Sequence, residues 1–237
     1  MQSIYFVDSN FTYESSKKSI LSIRYATDGF SFCVHDETEK LVVFVHEPYA
    51  ADSREAAVDR LKNYVVNDAI LNLRFKKVYI MPCFKEKLLV PGAFFDKANI
   101  ATLYTVNQEV APDDTILYHH IEGIEAYLVE TVISSFHDFV REHFSVVQIV
   151  NGAYPFILGA MAKALRDTEQ IFLDIQDNYF DLLFIRDSGI QLFNTFSYKA
   201  MTDIVYFLLN CIKECGINQE KAHLSICGPA LKDNKLK

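Results

Sequence analysis

The sequence predicts an α/β protein of two lobes, each opening on three strands, a helix and a further strand. Three observations carry that prediction. Half of the 237 residues are hydrophobic and 14% are aromatic, enough to fill a large core. Alternating apolar runs broken by turn residues come in two groups, each followed by a helical stripe and one more apolar run. The groups also keep a nearly constant spacing: Phe30 and Phe180 lie 150 positions apart, as do Leu21 and Ile171, while Val78 and Leu224 lie 146 apart.

Residues 1–19 are mixed and partly polar, and Ser15, Ser16, Lys17 and Lys18 read as a loop. Leu21, Ile23 and Tyr25 then alternate with polar residues as a strand does. Asp28-Gly29 is a hairpin turn signal. Phe30, Phe32 and Val34 mark the second strand, and the continuous run Leu41 to Val45 marks a third, buried on both faces. Asp52 or Ser53 can cap the next helix, whose stripe is Val58, Leu61, Val65 and Ala69. Val78 to Met81 is the closing strand, ended by Pro82.

The second group repeats the order. Ile171 to Ile175 is a strand, Phe180, Leu182 and Phe184 lie on the next, and Ser188-Gly189 turns the chain into Ile190 to Phe196. A helix over 199–215 stops at Gly216, a good residue just past a helix end. Leu224 to Cys227 is the last strand.

Between the groups, Asp96 to Asn107 reads as a helix, and Thr115 to Ile121 with Ile124 to Val129 as a hairpin around Glu122-Gly123. Val132, Phe136, Phe139, Val140 and Phe144 stripe a helix, Val146 to Val150 is a strand, and Tyr154 to Leu165 another helix. The domain reading is 1–150 for the first lobe and 151–237 for a second, shorter one. Few residues come after Cys227, so either this lobe is minimal or the natural chain extends beyond Lys237.

Net charge is −8, which repels phosphate backbones and makes nucleic acid a poor partner. The N-terminus lacks a signal-peptide pattern, and the longest apolar run, Ile204 to Leu209, is far short of the ~20 residues that span a bilayer. Five cysteines, an odd number without a CxxC pair, fit reduced thiols and a cytoplasmic location. Cys211 and Cys215 share a helix face as small core residues. His119 and His120 are adjacent on a strand, so they point to opposite faces and cannot share a metal. His46, His137 and His143 read as surface or core groups, and Tyr104, Tyr118, Tyr127 and Tyr154 as core rather than a binding groove. No nucleophile elbow, P-loop or His-Glu-x-x-His motif occurs.

The strings SILSIRYATDGFSFCVHD (19–36) and FLDIQDNYFDLLF (172–184) resemble an uncharacterised bacterial family with an actin-like ATPase fold. The second string and IEAYLVETVISSFHDFVREHFSVVQIVNG (124–152) are also similar in layout to the actin-like cytoplasmic proteins of pilus assembly and type II secretion. The resemblance implies duplicated ribonuclease-H-like lobes, with mixed sheets flanked by helices. It further implies that phosphates would sit between two glycine-rich hairpin turns, with acids at strand ends holding Mg²⁺ through water.

This chain departs from that pattern. The superfamily's first turn is Asp-x-Gly-Thr, but here the strand runs Ile23-Arg24-Tyr25. The second turn is Asp-x-Gly-Gly-Gly-x-x-Asp, but here Asp174 and Asp181 keep the outer acids while every glycine is replaced, and Asp177 adds a negative charge. The adenosine-side motif is reduced to Gly228, followed by Pro229 and Ala230. Micromolar ATP binding needs about 8 kcal/mol, and several lost phosphate donors at ~1–3 kcal/mol each remove most of it. The resemblance therefore implies a degenerate, pseudo-ATPase module with no catalytic residue, no cofactor and no metal, which binds a protein partner. Its alternative is a Mg-ATP-binding ATPase or small-molecule kinase that uses Asp174, Asp181 and Gly228. In the first case Asp174 is a turn acid and Asp181 a solvent-facing strand position. A ribonuclease-type site needs several acids converging on two metals; Asp174 and Asp203 offer two without a convincing third, and the acidic charge argues against a nucleic-acid substrate.

Overall fold

The hairpin signals become paired strands in the computed structural model, which describes residues 2–228. Pro229, Ala230 and the rest of the C-terminus lie outside the described residues. In chain order, β1 (Ile4–Val7) is a short strand where the sequence offers no alternation. The helix α1 (Tyr13–Ser16) replaces the expected loop, because Thr12 and Ser15 cap each other: Ser15 N donates to Thr12 Oγ1 and Thr12 N to Ser15 Oγ. The strands β2 (Ile20–Ala26), β3 (Gly29–His35) and β4 (Leu41–Pro48) come next, as predicted, but the first turn is Thr27-Asp28, one residue earlier than Asp28-Gly29, because Gly29 already pairs with Ala26. Val42 and Val43 are buried in β4, but Leu41 is exposed, so that strand is covered on both faces only in part.

Ser53, not Asp52, caps α2 (Arg54–Asn67): its Oγ accepts from Ala56 N at 3.1 Å. Val58, Leu61 and Val65 are buried, each contributing about 1.5–3 kcal/mol over an exposed position. Ala69 falls outside the helix and is exposed. The helix stops because Asn72 Nδ2 reaches back to the carbonyls of Val65, Val66 and Asp68.

After β5 (Lys77–Pro82) comes β6 (Lys87–Pro91), a strand that no pattern announced. A 3₁₀ turn over Gly92–Phe94 leads to α3 (Ile100–Asn107), which starts after Asp96 rather than at it. The hairpin of β7 (Asp114–His120) and β8 (Ala126–Ile133) runs longer than expected. Val132 belongs to this strand and not to the helix, since Thr131, Val132 and Ile133 are all β-branched. Then come α4 (Ser134–His143), β9 (Val147–Ile149) and α5 (Ala153–Ala162). The last helix ends before Leu165, whose N–H donates to Gln170 Oε1 at 2.7 Å. The chain closes with β10 (Glu169–Ile175), β11 (Tyr179–Arg186), β12 (Gly189–Ser197), α6 (Met201–Glu214) and β13 (His223–Cys227).

The turn before β12 is one residue earlier than read: Asp187 and Ser188 both take positive φ, as a tight two-residue hairpin requires. Gly216 ends α6 as anticipated. At φ +61° its N–H donates to Lys213 O, and Ile217 N donates to Ile212 O, which closes the last turn on itself.

The chain divides into two compact units that interleave in sequence. The first takes the chain up to Glu86 together with Ala98–His119 and Val129–Gly152. The second takes Lys87–Lys97, His120–Leu128 and the chain from Ala153 onward. A six-stranded sheet, β1-β4-β3-β2-β5-β9, lies in the first unit, with β2, β5 and β9 mutually parallel and the remaining pairings antiparallel. A four-stranded sheet, β12-β11-β10-β13, lies in the second, with β13 parallel to β10. The strands β6, β8 and β7 form a three-stranded sheet. The order β4-β3-β2-β5 thus recurs as β12-β11-β10-β13. Register recurs too: Ile23 pairs with Ile80, and Leu173 with Ile226.

In the first unit, α2 and α4 cover the sheet through a core of Leu21, Ile23, Leu61, Ile80, Phe136 and Val140. In the second, α6 covers one sheet face through Ile171, Leu173, Phe180 and Ile204. A separate cluster of Phe172, Leu183, Ile185 and Ile157 covers the other face. No helix among the described residues is long and apolar enough to cross a membrane.

Candidate functional site

Alternation along β10 and β11 places the two sequence-predicted acids. Ile171, Leu173, Ile175, Phe180, Leu182 and Phe184 turn to the α6 side. Phe172, Leu183 and Ile185 turn to the opposite face, and so, by the same period of two, do Asp174 and Asp181. The acids are direct cross-strand partners, and Asp174 also pairs in register with Cys227 on β13. Gly228 is the next residue, so all three predicted residues meet at one end of this sheet.

Asp181 is not the solvent-facing residue expected. It is 2% exposed, and its Oδ1 lies 2.8 Å from Lys87 Nζ, itself on a 4% exposed residue. Thr195 Oγ1 donates to the same oxygen at 2.6 Å. The ammonium also stands 4.6 Å from the Tyr179 ring centre, a cation–π distance. A charge so deeply buried requires a counter-charge, and Lys87 supplies it. Asp174 lies within β10 rather than in the turn. Its Oδ2 accepts from Gln176 Nε2 at 2.9 Å.

The turn after Asp174 is tied by its own neighbours. Gln176 N donates to Tyr179 O, Tyr198 N to Asn178 O, and Tyr198 Oη to Gln176 O at 2.6 Å. Gly228 has φ +116°, and a Cβ there would overlap the backbone of Ile175. Close passage of two strands accounts for that glycine. In the first unit the turn at Thr27-Asp28 is bonded likewise, its carbonyls accepting from Ala51 N and Tyr49 N. Asp28 lies 3.6 Å from Arg24.

The ribonuclease-type pairing of Asp174 with Asp203 does not form. Asp203 sits on α6, which covers the sheet face opposite Asp174. Its Oδ2 accepts from Lys199 N and Ala200 N at 2.8 and 3.0 Å, so it caps the helix, and those N–H bonds lower its pKa. Among the described residues, no group of three or more His, Cys, Asp or Glu side chains is arranged to hold a metal ion.

Comparison with known proteins places this architecture. A family model described as "Protein of unknown function (DUF3822)" matches residues 8–237. The chain belongs to the DUF3822 family. No curated protein matches it. Among solved structures, a Bacteroides thetaiotaomicron protein with actin-like ATPase fold and unknown function is 22% identical, with a TM-score of 0.85 over 96% of this chain and 92% of that one. The DUF3822 chain therefore has the actin-like ATPase fold. More distant matches include the PilM–PilN type IV pilus biogenesis complex, 11% identical, TM-score 0.46, over 84% of this chain and 66% of that one. A ROK family glucokinase from Streptomyces griseus in complex with glucose and AMPPNP is 13% identical, TM-score 0.40, over 77% and 51%.

Sequence reasoning missed the partners of these acids in the DUF3822 chain. Lys87 is the second lysine of Lys85-Glu86-Lys87, directly before Leu88-Leu89-Val90, and nothing in that run singles it out. A second buried polar set, in the first unit, was equally silent. Glu130 is 1% exposed and accepts from Asn151 Nδ2 at 2.9 Å. Arg54 donates to Thr131 Oγ1 at 3.0 Å and pairs with Asp114. His119 faces Glu130 at 4.0 Å, while His120 is exposed and lies edge-on to Tyr127, so the adjacent histidines do point apart. Burial lowers the His119 pKa. Tyr104 is fully buried, which pushes its hydroxyl up to about 12, and that hydroxyl donates to Glu86 O. Cys227 is exposed as a residue, but its thiol turns toward Leu173 O at 3.4 Å. The partial burial there, with the Asp174 carboxylate beside it, pushes it up to about 11, so it is a thiol and not a nucleophilic thiolate near neutral pH.

Proposed function

We propose that this chain is a bacterial, cytoplasmic, non-catalytic protein-binding module, a pseudo-ATPase whose two units arose by duplication. The observation that carries the reading is the buried Lys87–Asp181 pair. A carboxylate that neutralises an interior lysine and accepts a hydrogen bond from the Thr195 hydroxyl has a structural task already. The tied turn Gln176–Asn178 and the close approach of Gly228 to Ile175 support the same reading, since both explain local sequence without a phosphate. Exposed Val205, Tyr206 and Leu209 on α6 support a protein partner.

Thermal unfolding with and without millimolar Mg-ATP tests it. A ligand at a hundred times its dissociation constant adds about 2.7 kcal/mol, or roughly 5–10 °C for a chain of this size. The proposal expects no shift. A shift that disappears in Asp174→Ala would establish the alternative, Mg-ATP binding through Asp174, Asp181 and Gly228 in an ATPase or small-molecule kinase.

A further inference from the structure

Arg24, Arg54 and Arg186 each face a carboxylate. Arg141, in the last turn of α4, faces a ring instead. Its Nη1 lies 3.3 Å from His137 Nε2, one helical turn back. A guanidinium can only donate, so that ring nitrogen accepts, and the His137 proton sits on Nδ1, 3.1 Å from Asp138 Oδ1. The imidazole is therefore neutral and leaves the arginine charge unbalanced. Among the described residues no carboxylate pairs with this guanidinium. The C-terminus of a helix favours a cation, but that alone does not explain the space beside it.

His137 and Arg141 line a cavity of about 170 Å³ in the first unit. Leu117 of β7 and Val147 and Ile149 of β9 give it aliphatic walls. Gln148, exposed on β9, adds an amide whose side chain makes no hydrogen bond among the described residues. His119 completes the lining. Its buried Nε2 lies 4.0 Å from Glu130 Oε1, and Glu130 is not on the cavity wall. The cavity thus offers one unbalanced cation, one amide and hydrocarbon.

We propose that this cavity binds a short-chain monocarboxylate, with the carboxylate on Arg141 and Gln148 and the alkyl chain against Leu117, Val147 and Ile149. The planar guanidinium fork matches the two oxygens of a carboxylate. One cation selects one negative charge. A phosphate monoester, at about −1.5 to −2 near neutral pH, would leave excess negative charge on a chain already at −8. Volume sets the length of the acid. A water takes up about 30 Å³ of liquid, so the cavity equals roughly five or six waters and accommodates an acid of about four carbons. The site shares no residue with the Asp174 and Asp181 cluster, so it stands whether or not Mg-ATP binds there.

The test is an NMR titration of the full chain with sodium butyrate at constant ionic strength, following the Arg141 Nε–H and Gln148 amide signals. Both are expected to shift with a dissociation constant of about 1–10 mM. Acetate should bind about fifteenfold more weakly, for want of two buried methylenes. Arg141→Gln, at an exposed position, should keep the unfolding midpoint and weaken butyrate about 10–100-fold. Butyramide, equal in shape but uncharged, makes the same comparison without a substitution and should not bind. Signals that stay fixed at about 50 mM butyrate overturn the proposal. So do equal binding of butyramide, unchanged affinity in Arg141→Gln, or inorganic phosphate binding more tightly than butyrate. Acetate binding as tightly as butyrate also overturns it, since the guanidinium alone would then account for the effect.

Discussion

Strands β5 and β13 hold the same place in their sheets, yet one is core and the other is surface. Ile80 pairs with Ile23 and is 1% exposed, while Ile226 pairs with Leu173 and is 42% exposed. Both strands are short, apolar and parallel to their neighbour. The difference comes from the elements packed beside each strand. The first unit adds β9 next to β5, and Ile80 lies in one buried cluster with Phe136 and Val140 of α4 and Ile149 of β9. In the second unit β13 is the last strand of its sheet among the described residues. An apolar strand is therefore a core strand only when another element covers it.

Substitution makes the contrast quantitative. Ile80→Ala should cost about 2–5 kcal/mol, the range for emptying a packed site. Ile226→Ala should cost about 0.5 kcal/mol or less, as exposed positions do. Urea denaturation of the two variants measures the gap, and equal losses would mean that β13 is covered as β5 is.

The crossover helices differ on a smaller scale. α2 begins with a hydroxyl cap at Ser53, whereas α6 begins at Ala200 and relies on Asp203 reaching back to two N–H groups. Ser53→Ala should cost about 1 kcal/mol, at every pH where the chain is folded. Asp203→Ala should show a smaller, pH-dependent loss. The folded pKa of Asp203 lies below its ordinary 3.8, so its contribution is complete above that value and vanishes as pH falls through the lower one. Unfolding midpoints against pH for wild type and variant should converge under acid; parallel curves would remove the carboxylate from the cap.

The same contrast explains what was legible in the sequence. The strands β2, β3, β10 and β11 announce themselves because alternation and turn residues are local signals. β1 and β6 do not, being short runs whose place is set by the strand beside them. Which acid is buried was also hidden. The resemblance singled out Asp174 and Asp181, but nothing near either one points to Lys87, which arrives from a distant strand. Likewise Glu130 and Asn151 meet only after β8 and β9 are in place. Local patterns record faces and turns; the neutralisation of an interior charge depends on contacts between segments far apart in the chain.

The central claim is that Asp181 serves the interior and not a ligand. A double-mutant cycle on Lys87 and Asp181, read by denaturant unfolding, tests it most directly. Lys87→Met and Asp181→Leu alone should each cost about 3–5 kcal/mol by breaking a buried ion pair, while the double variant should return to within about 1 kcal/mol of wild type. Additive losses, or an Asp181→Leu variant as stable as wild type, would contradict the claim and return Asp181 to the nucleotide reading.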